Sequence, residues 1–338
     1  MEAATTPALG EVTVDLAAVI LAVTEGTPRV LTVQGEADAE WAGEAGALPR
    51  GPLDPRNDRT LARGLRRWVA ERTGMQLGYV EQLYTFGDAG RDPRERAAGA
   101  RVLSVAYLAL VREQAFEAAG ATWRDVYELL PWEDRRGGEP EGLAQAIEPA
   151  LARWWLAVGD EPTASTTTLD TAGGSPRERA EVAFGLGDLG WDSQRVLERY
   201  ELLYEAGLVG EAGRDAGEPE RGGHVQARLG KTMALDHRRI LATALGRVRG
   251  KLSYRPVVFE LLPEQFTLSA LQRVVEALAG LRLHKQNFRR LVDRAGLVEP
   301  TGVQAHTARG RPAELFCFRR EVLRERPAPG VGLPRSGP

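Results

Sequence analysis

Arg66, Arg67, Glu71 and Arg72 stand together in RRWVAERTGM, residues 66–75. On a helix Arg67 and Glu71 lie four apart and meet, so the first chemistry open to them is an intrahelical ion pair. The second is recognition of phosphate. Arg66 and Arg67, with Arg50 of the upstream loop LPRG, can offset phosphate charge through charge-assisted hydrogen bonds without a metal. The third, holding Mg²⁺ against a phosphate, needs several carboxylate oxygens. The stretch supplies Glu71, while Arg59 and Arg72 add positive charge. The reading is a ligand-binding set of Arg50, Arg66, Arg67 and Glu71, with no metal site; a solvated helix face is the plainer alternative.

A second constellation lies in HKQNFRRLVDRAG, residues 284–296. Phe288, Leu291, Val292 and Ala295 fall at i, i+3, i+4 and i+7, one apolar face. Setting that face inward turns Gln286, Arg290 and Asp293 outward, with Asn287, Arg289 and Arg294 on the flanks. Gln can pair bidentately with adenine, and Arg or Lys with guanine, in a major groove; Gln286, Arg290 and Lys285 fit those roles. The preceding segment FTLSALQRVVEALAG starts at Thr267, a good N-cap, and closes at Gly280, three residues before the second helix. Thr267 and Ser269 begin it, where backbone N–H groups can hold a phosphate. Arg309 and Arg311 fall in a Gly-containing loop between two strand-like runs, as a wing would. The full set expected at DNA is Thr267, Ser269, Lys285, Gln286, Asn287, Arg289, Arg290, Arg309 and Arg311.

The elements that position these groups follow from patterning. VTVDLAAVILAV and RVLTVQG read as two strands around a turn. Asp58 is expected to cap a helix from about 60 to 72, with Leu61, Leu65, Trp68 and Val69 buried. GYVEQLYTFGD and RVLSVAYLALV read as strands, the second central because it is almost continuously apolar. Tyr84 and Phe86 share a strand face, in core packing. Residues 139–158 read as a helix bearing Trp154 and Trp155, and 192–206 as a helix capped by Asp192. DHRRILATALGRVRGKL reads as a helix with Ile240, Leu241, Ala244, Leu245, Val248 and Leu252 on one side and five cations elsewhere. The expected class is α+β: a mixed α/β sandwich at 10–135, a helical insertion with flexible linkers at 136–234, a winged helix-turn-helix at 235–325 and a disordered tail at 326–338.

Composition narrows the function classes. The chain has 338 residues and a net charge of −3, yet residues 221–338 carry 22 Lys+Arg against 9 Asp+Glu and residues 1–220 carry the acidic excess. A basic C-terminal part fits a polyanionic partner. No run of 18 apolar residues implies a membrane span, and the start of the chain has no export signal, so a cytoplasmic protein is expected. The single cysteine, Cys317, rules out an internal disulfide and a multi-cysteine zinc site; it is expected to be buried and inert. His237, His284 and His306 lack metal spacing, and His237 reads as a helix-start residue.

RRWVAERTGM resembles the catalytic helix of the Nudix hydrolases. Arg67, Glu71, Gly74 and Met75 match its Arg, the first Glu of its paired glutamates, its Gly and its last aliphatic residue. Trp68 stands where a metal-ligating Glu belongs, Arg72 replaces the second paired Glu, and Arg59 falls where the upstream Glu should be. Gly51 lies two residues earlier than the motif's glycine. Through GYVEQLYTFGDAGRDP, LDHRRILATALGRVRGKL, PVVFELLPEQFTLSALQRVVEAL and GRPAELFCFRR the chain resembles the Nudix-related transcriptional regulators of NAD metabolism. WRDVYELLPWED and VLERYELLYEAGLV are similar to the NadQ-type repressors of de novo NAD biosynthesis. The resemblance implies a Nudix-like domain that senses a nucleotide such as NAD, ADP-ribose or ATP and a regulator of double-stranded DNA. The missing carboxylates imply no catalysis, and no cofactor is expected. Because a single winged helix reads few base pairs, a homodimer on a palindromic operator is expected. Two alternatives stay open: a Nudix-type nucleoside-diphosphate hydrolase with an unusual metal site, and a protein-docking module.

Overall fold

The computed structural model describes residues 12–34, 43–95, 100–113, 120–140, 143–159, 174–217, 229–305 and 312–331. Strands β1 (Val12–Thr24), β2 (Thr27–Val33), β3 (Arg50–Pro52), β4 (Tyr79–Phe86), β5 (Arg101–Leu110) and β6 (Ala121–Asp125) form one mixed sheet. Its order is β4-β5-β1-β2-β6, with β3 also pairing β1. β5 runs parallel to β1 and lies inside the sheet, as its apolar run predicts. β1 and β2 turn through Glu25 and Gly26, both at positive φ.

Helix α1 (Leu61–Thr73) covers one face. Leu16, Ala18, Ile20 and Ala22 of β1 pack there with Leu65 and Val69, while Ala17, Val19 and Leu21 point into the opposite core. The N-cap of α1 is Thr60, whose side chain accepts from Arg63 N–H. Asp58 instead accepts the Asp54 N–H at 2.9 Å and pairs with Arg67, which corrects its expected capping role.

The opposite face meets a stack of helices: α2 (Val126–Leu129), α3 (Glu148–Val158), α4 (Pro176–Phe184), α5 (Val196–Glu205), α6 (Gly210–Asp215) and the long α7 (His237–Leu252). α5 begins at Val196 with no side-chain cap; Asp192 accepts the Gln194 N–H in the turn before it. One apolar cluster runs from the sheet through α5 and α7 into the C-terminal unit, so the middle segment packs as part of a shared core. Three of the five α7 cations read as lying off its apolar face are buried: Arg238, Arg239 and Arg249.

The C-terminal unit holds α8 (Leu268–Ala279), α9 (Lys285–Ala295), the antiparallel pair β7 (Val298–Ala305) and β8 (Ala313–Phe318), and the short α10 (Val322–Glu325). Phe266 bridges to Phe316 and adds a third strand position. Two further expectations are corrected. Cys317 is only half-buried, with Sγ 3.5 Å from Glu299 Oε1, because it lines an open groove beside Phe318 and Arg320. The tail is ordered at its start: Val331 is buried and donates its N–H to Leu252 O at 2.9 Å, closing the end of α7.

Candidate nucleic-acid interface and ligand site

α8 and α9 are built as a helix-turn-helix. Thr267 caps α8 by accepting from Ala270 N–H, and Gly280 ends it at φ +69°. A Cβ at Gly280 would stand 2.2 Å from Glu133 O, so glycine is required there by both backbone and space. Glu276 fastens the turn: its Oε1 accepts from Leu283 N–H and from Gln272 Nε2, each at 2.9 Å. Phe288 and Val292 are buried under α9, with Leu291 and Ala295 half-buried on the same face.

That anchoring leaves Lys285, Gln286, Asn287, Arg289 and Arg290 exposed along the N-terminal half of α9. Ser269 is exposed at the first turn of α8 and Thr267 is half-buried as its cap. Seven of the nine expected DNA residues thus lie on the two helices of the motif, six of them exposed; Arg309 and Arg311 lie outside the described residues. Exposed cations with a buried aromatic anchor suit a helix presented to a groove.

The turn is tied to the rest of the chain. Tyr127 Oη donates to Ala277 O at 2.6 Å, Arg249 Nε to Leu278 O at 3.0 Å, and the Arg135 N–H to Gly280 O at 2.8 Å. Arg249 and Arg199 both bond the fully buried Glu133, with Arg199 Nε 2.6 Å from its Oε1. Burial alone pushes the Glu133 carboxyl up, but the two guanidiniums outweigh it and hold the group below its usual range. At its other end α7 grips the sheet loops. Arg91 and Asp236 pair, Arg239 bonds Asp88 and Glu201, and His237 Nδ1 accepts from Leu48 N–H at 2.9 Å. None of this was legible, because each partner lies dozens of residues away and the arginines carry no spacing signal.

The expected ligand set does not form one cluster. Arg67 forks onto Asp58 at 3.0 and 2.8 Å and reaches Glu71 at 3.2 Å. Asp58 raises the Arg67 pKa and is itself held below the usual carboxylate range. Arg66 donates to Leu77 O and, at 2.9 Å, to Gly78 O. Arg50 lies across the sheet from α1, because it pairs in register with Ala17 rather than Leu16; there it meets Asp92 at 3.1 Å and Asp15 at 3.4 Å. Trp68 packs on Gly51 and donates Nε1–H to Pro52 O at 3.0 Å, with the Arg72 guanidinium 4.9 Å from its ring. Among the described residues no group of three or more His, Cys, Asp or Glu could hold a metal ion, and no helix is long and apolar enough to cross a membrane.

Residues 258–318 match the family described as the NrtR DNA-binding winged helix domain, so the C-terminal unit is a winged helix of that type. The chain is 24% identical over 309 residues, 90% of its length and 81% of the relative's, to the ADPR-responsive transcriptional repressor NtrR of Acinetobacter baylyi. Its fold is similar to Shewanella oneidensis NrtR solved with a 27mer DNA (TM-score 0.52, 22% identity, 91% of this chain and 94% of that one). It is also similar to a MutT/nudix family protein from Enterococcus faecalis (TM-score 0.50, 16% identity, 94% and 90%). The N-terminal sheet with α1 thus has a Nudix-like fold, joined to a winged helix.

Proposed function

We propose that this chain, a Nudix-related transcriptional regulator in its domain pairing, is a repressor of NAD biosynthesis genes that binds a palindromic operator through α9. The observation that carries the reading is the exposed row Lys285, Gln286, Asn287, Arg289 and Arg290, set on a helix whose turn is locked by Glu276. Thr267 and Ser269 hold a phosphate at the start of α8, and Arg309 and Arg311 touch the backbone or minor groove. Two protomers meet two half-sites about one helical turn apart. The work is done in the cytoplasm.

The effector is a nucleotide metabolite. ADP-ribose comes first, because the Acinetobacter relative is named for its response to it; NAD and ATP are the other members of the class. Arg66, Arg67 and Glu71, all from α1, are the residues proposed for it; Arg50 of β3 faces the other side of the sheet and does not join them. Binding then requires these arginines to exchange internal partners for phosphate, which links occupancy to the loops they hold. The Nudix-like domain is catalytically inactive: the motif keeps one of four carboxylates, and Trp68 occupies the position of another.

The test is selection of bound duplexes from random DNA, followed by anisotropy titrations with ADP-ribose, NAD and ATP and sedimentation of the free and bound chain. Expected are an inverted-repeat site, a dimer on it, and a shift in affinity with one of the three. Absence of any preferred sequence, or a monomer on the DNA, overturns the reading. No shift with millimolar nucleotide overturns the sensing half.

A further inference from the structure

Between β4, α4, α5 and α7 lies a cleft of about 570 Å³, within the range of small-molecule sites. Tyr84, Val182, Leu197, Ala242 and Tyr254 give it an apolar lining, and it lies away from Arg66, Arg67 and Glu71 on α1. Most charges around it are committed elsewhere. Arg179 makes two bonds of 2.8 Å to Glu205, Arg195 pairs with Glu198, and Glu201 pairs with Arg239. Glu178 accepts the Ser175 N–H at 2.9 Å as part of a capping box. Arg247 is held least: its side chain is 44% exposed and stands 3.6 Å from Glu81, a carboxylate that Lys251 approaches to 2.8 Å. The cleft therefore offers an apolar body and one cation able to take a better partner.

Its position matters as much as its lining. The cleft is bordered by α5 and α7, which pack against each other, and these two helices supply Arg199 and Arg249, the two clamps on Glu133. Arg249 in turn holds Leu278 O at the helix-turn-helix. A molecule seated against both helices therefore acts on the lever that sets α8 and α9.

We propose that this cleft is a second small-molecule site, for a compact apolar or aromatic molecule carrying one anionic group, and that its occupant changes DNA affinity through the Arg199–Glu133–Arg249 clamp. The regulatory half rests on the DNA-binding reading above; the site itself does not.

The experiment uses the full chain and two fluorescent probes of similar shape, anionic anilinonaphthalene sulfonate and neutral phenylnaphthylamine. Each is expected to bind at one saturable site. Val182→Trp, which fills the cleft, should weaken both. Arg247→Gln should weaken the anionic probe about tenfold, the size of a charge-assisted hydrogen bond, and leave the neutral one unchanged. Should Val182→Trp fail to fold, the half-exposed Arg247→Gln still decides the anion preference. Probe binding untouched by either variant overturns the site, and equal loss of both probes in Arg247→Gln overturns its anion preference. With a selected duplex, anilinonaphthalene sulfonate should shift the affinity of the parent chain and not of Val182→Trp; binding without that shift overturns the regulatory half. A chain that binds the probes yet no DNA refutes the repressor reading and leaves the site standing.

Discussion

The indole of Trp68 fills the space beside Gly51, where an added Cβ would stand 1.7 Å from the ring. The tryptophan, read from the sequence as standing where the Nudix motif has a ligand, uses its Nε1–H on Pro52 O, so α1 is closed onto β3 by packing. Gly51→Ala should displace the ring and cost about 1–3 kcal/mol, the usual penalty for overpacking. Urea denaturation measures it. In the same preparation Mg²⁺-dependent turnover of ADP-ribose should stay at the no-enzyme level, and turnover abolished by Glu71→Gln would return the chain to the hydrolases.

A pH prediction rests on His237. Burial, with Arg50 and Arg91 nearby, drives its pKa well below 6.5. The folded imidazole is neutral and accepts from Leu48 N–H. The unfolded chain takes up a proton near the ordinary value, so below about pH 6.5 it holds more protons than the fold. Stability should then fall with falling pH by up to about 1.4 kcal/mol per unit from this group, and be fully present above that range. His237→Gln keeps an acceptor and cannot charge. Denaturation midpoints between about pH 7.5 and 5 should show a shallower slope in the variant; equal slopes refute the assignment.

Some parts were legible because their signals are local. The caps at Thr267 and Gly280, the i, i+3, i+4 face of α9 and the apolar run of β5 each reside within a dozen residues. The sequence reads Trp68 as standing in place of a carboxylate; its packing against Gly51 carries no sequence signal. What escaped was pairing over distance. Arg238, Arg239 and Arg249 read as lying off α7's apolar face, because burial of an arginine is set by carboxylates from other elements, here Glu211, Glu201 and Glu133. Arg50 was grouped with Arg66 and Arg67 by residue type. Strand register, which assigns it to the other face, depends on a pairing with β1 that sequence spacing does not express.

Glu133 should be among the most sensitive positions outside the apolar core. Its carboxylate is the shared ion-pair partner of two fully buried guanidiniums. Glu133→Gln leaves both charges uncompensated, a loss of about 3–5 kcal/mol for a broken buried pair. Because Arg249 also holds the helix-turn-helix, DNA affinity should drop at denaturant-free conditions where the variant is still folded. Glu128→Gln, on a half-exposed pair with Lys231, serves as the control and should change stability by less than about 1 kcal/mol.

The last prediction separates reading from attachment at the DNA. Arg290 is exposed on the side of α9 away from Phe288 and Val292, so its loss removes no core contact. If it pairs with guanine in the groove, Arg290→Ala should cost about 1–3 kcal/mol and relax preference at one base pair of each half-site. Ser269 lies at the first turn of α8, where a bound phosphate carries no sequence information. Ser269→Glu should therefore weaken binding to all duplexes alike by setting a carboxylate against the phosphate. Arg309→Ala should likewise weaken all sequences, and flatten the salt dependence by about one unit per protomer. Selection from random duplexes with each variant, paired with salt titrations, distinguishes the two behaviours. Unchanged affinity and unchanged preference in Arg290→Ala would mean that α9 is not the reading helix, and would return the winged domain to a protein-docking role.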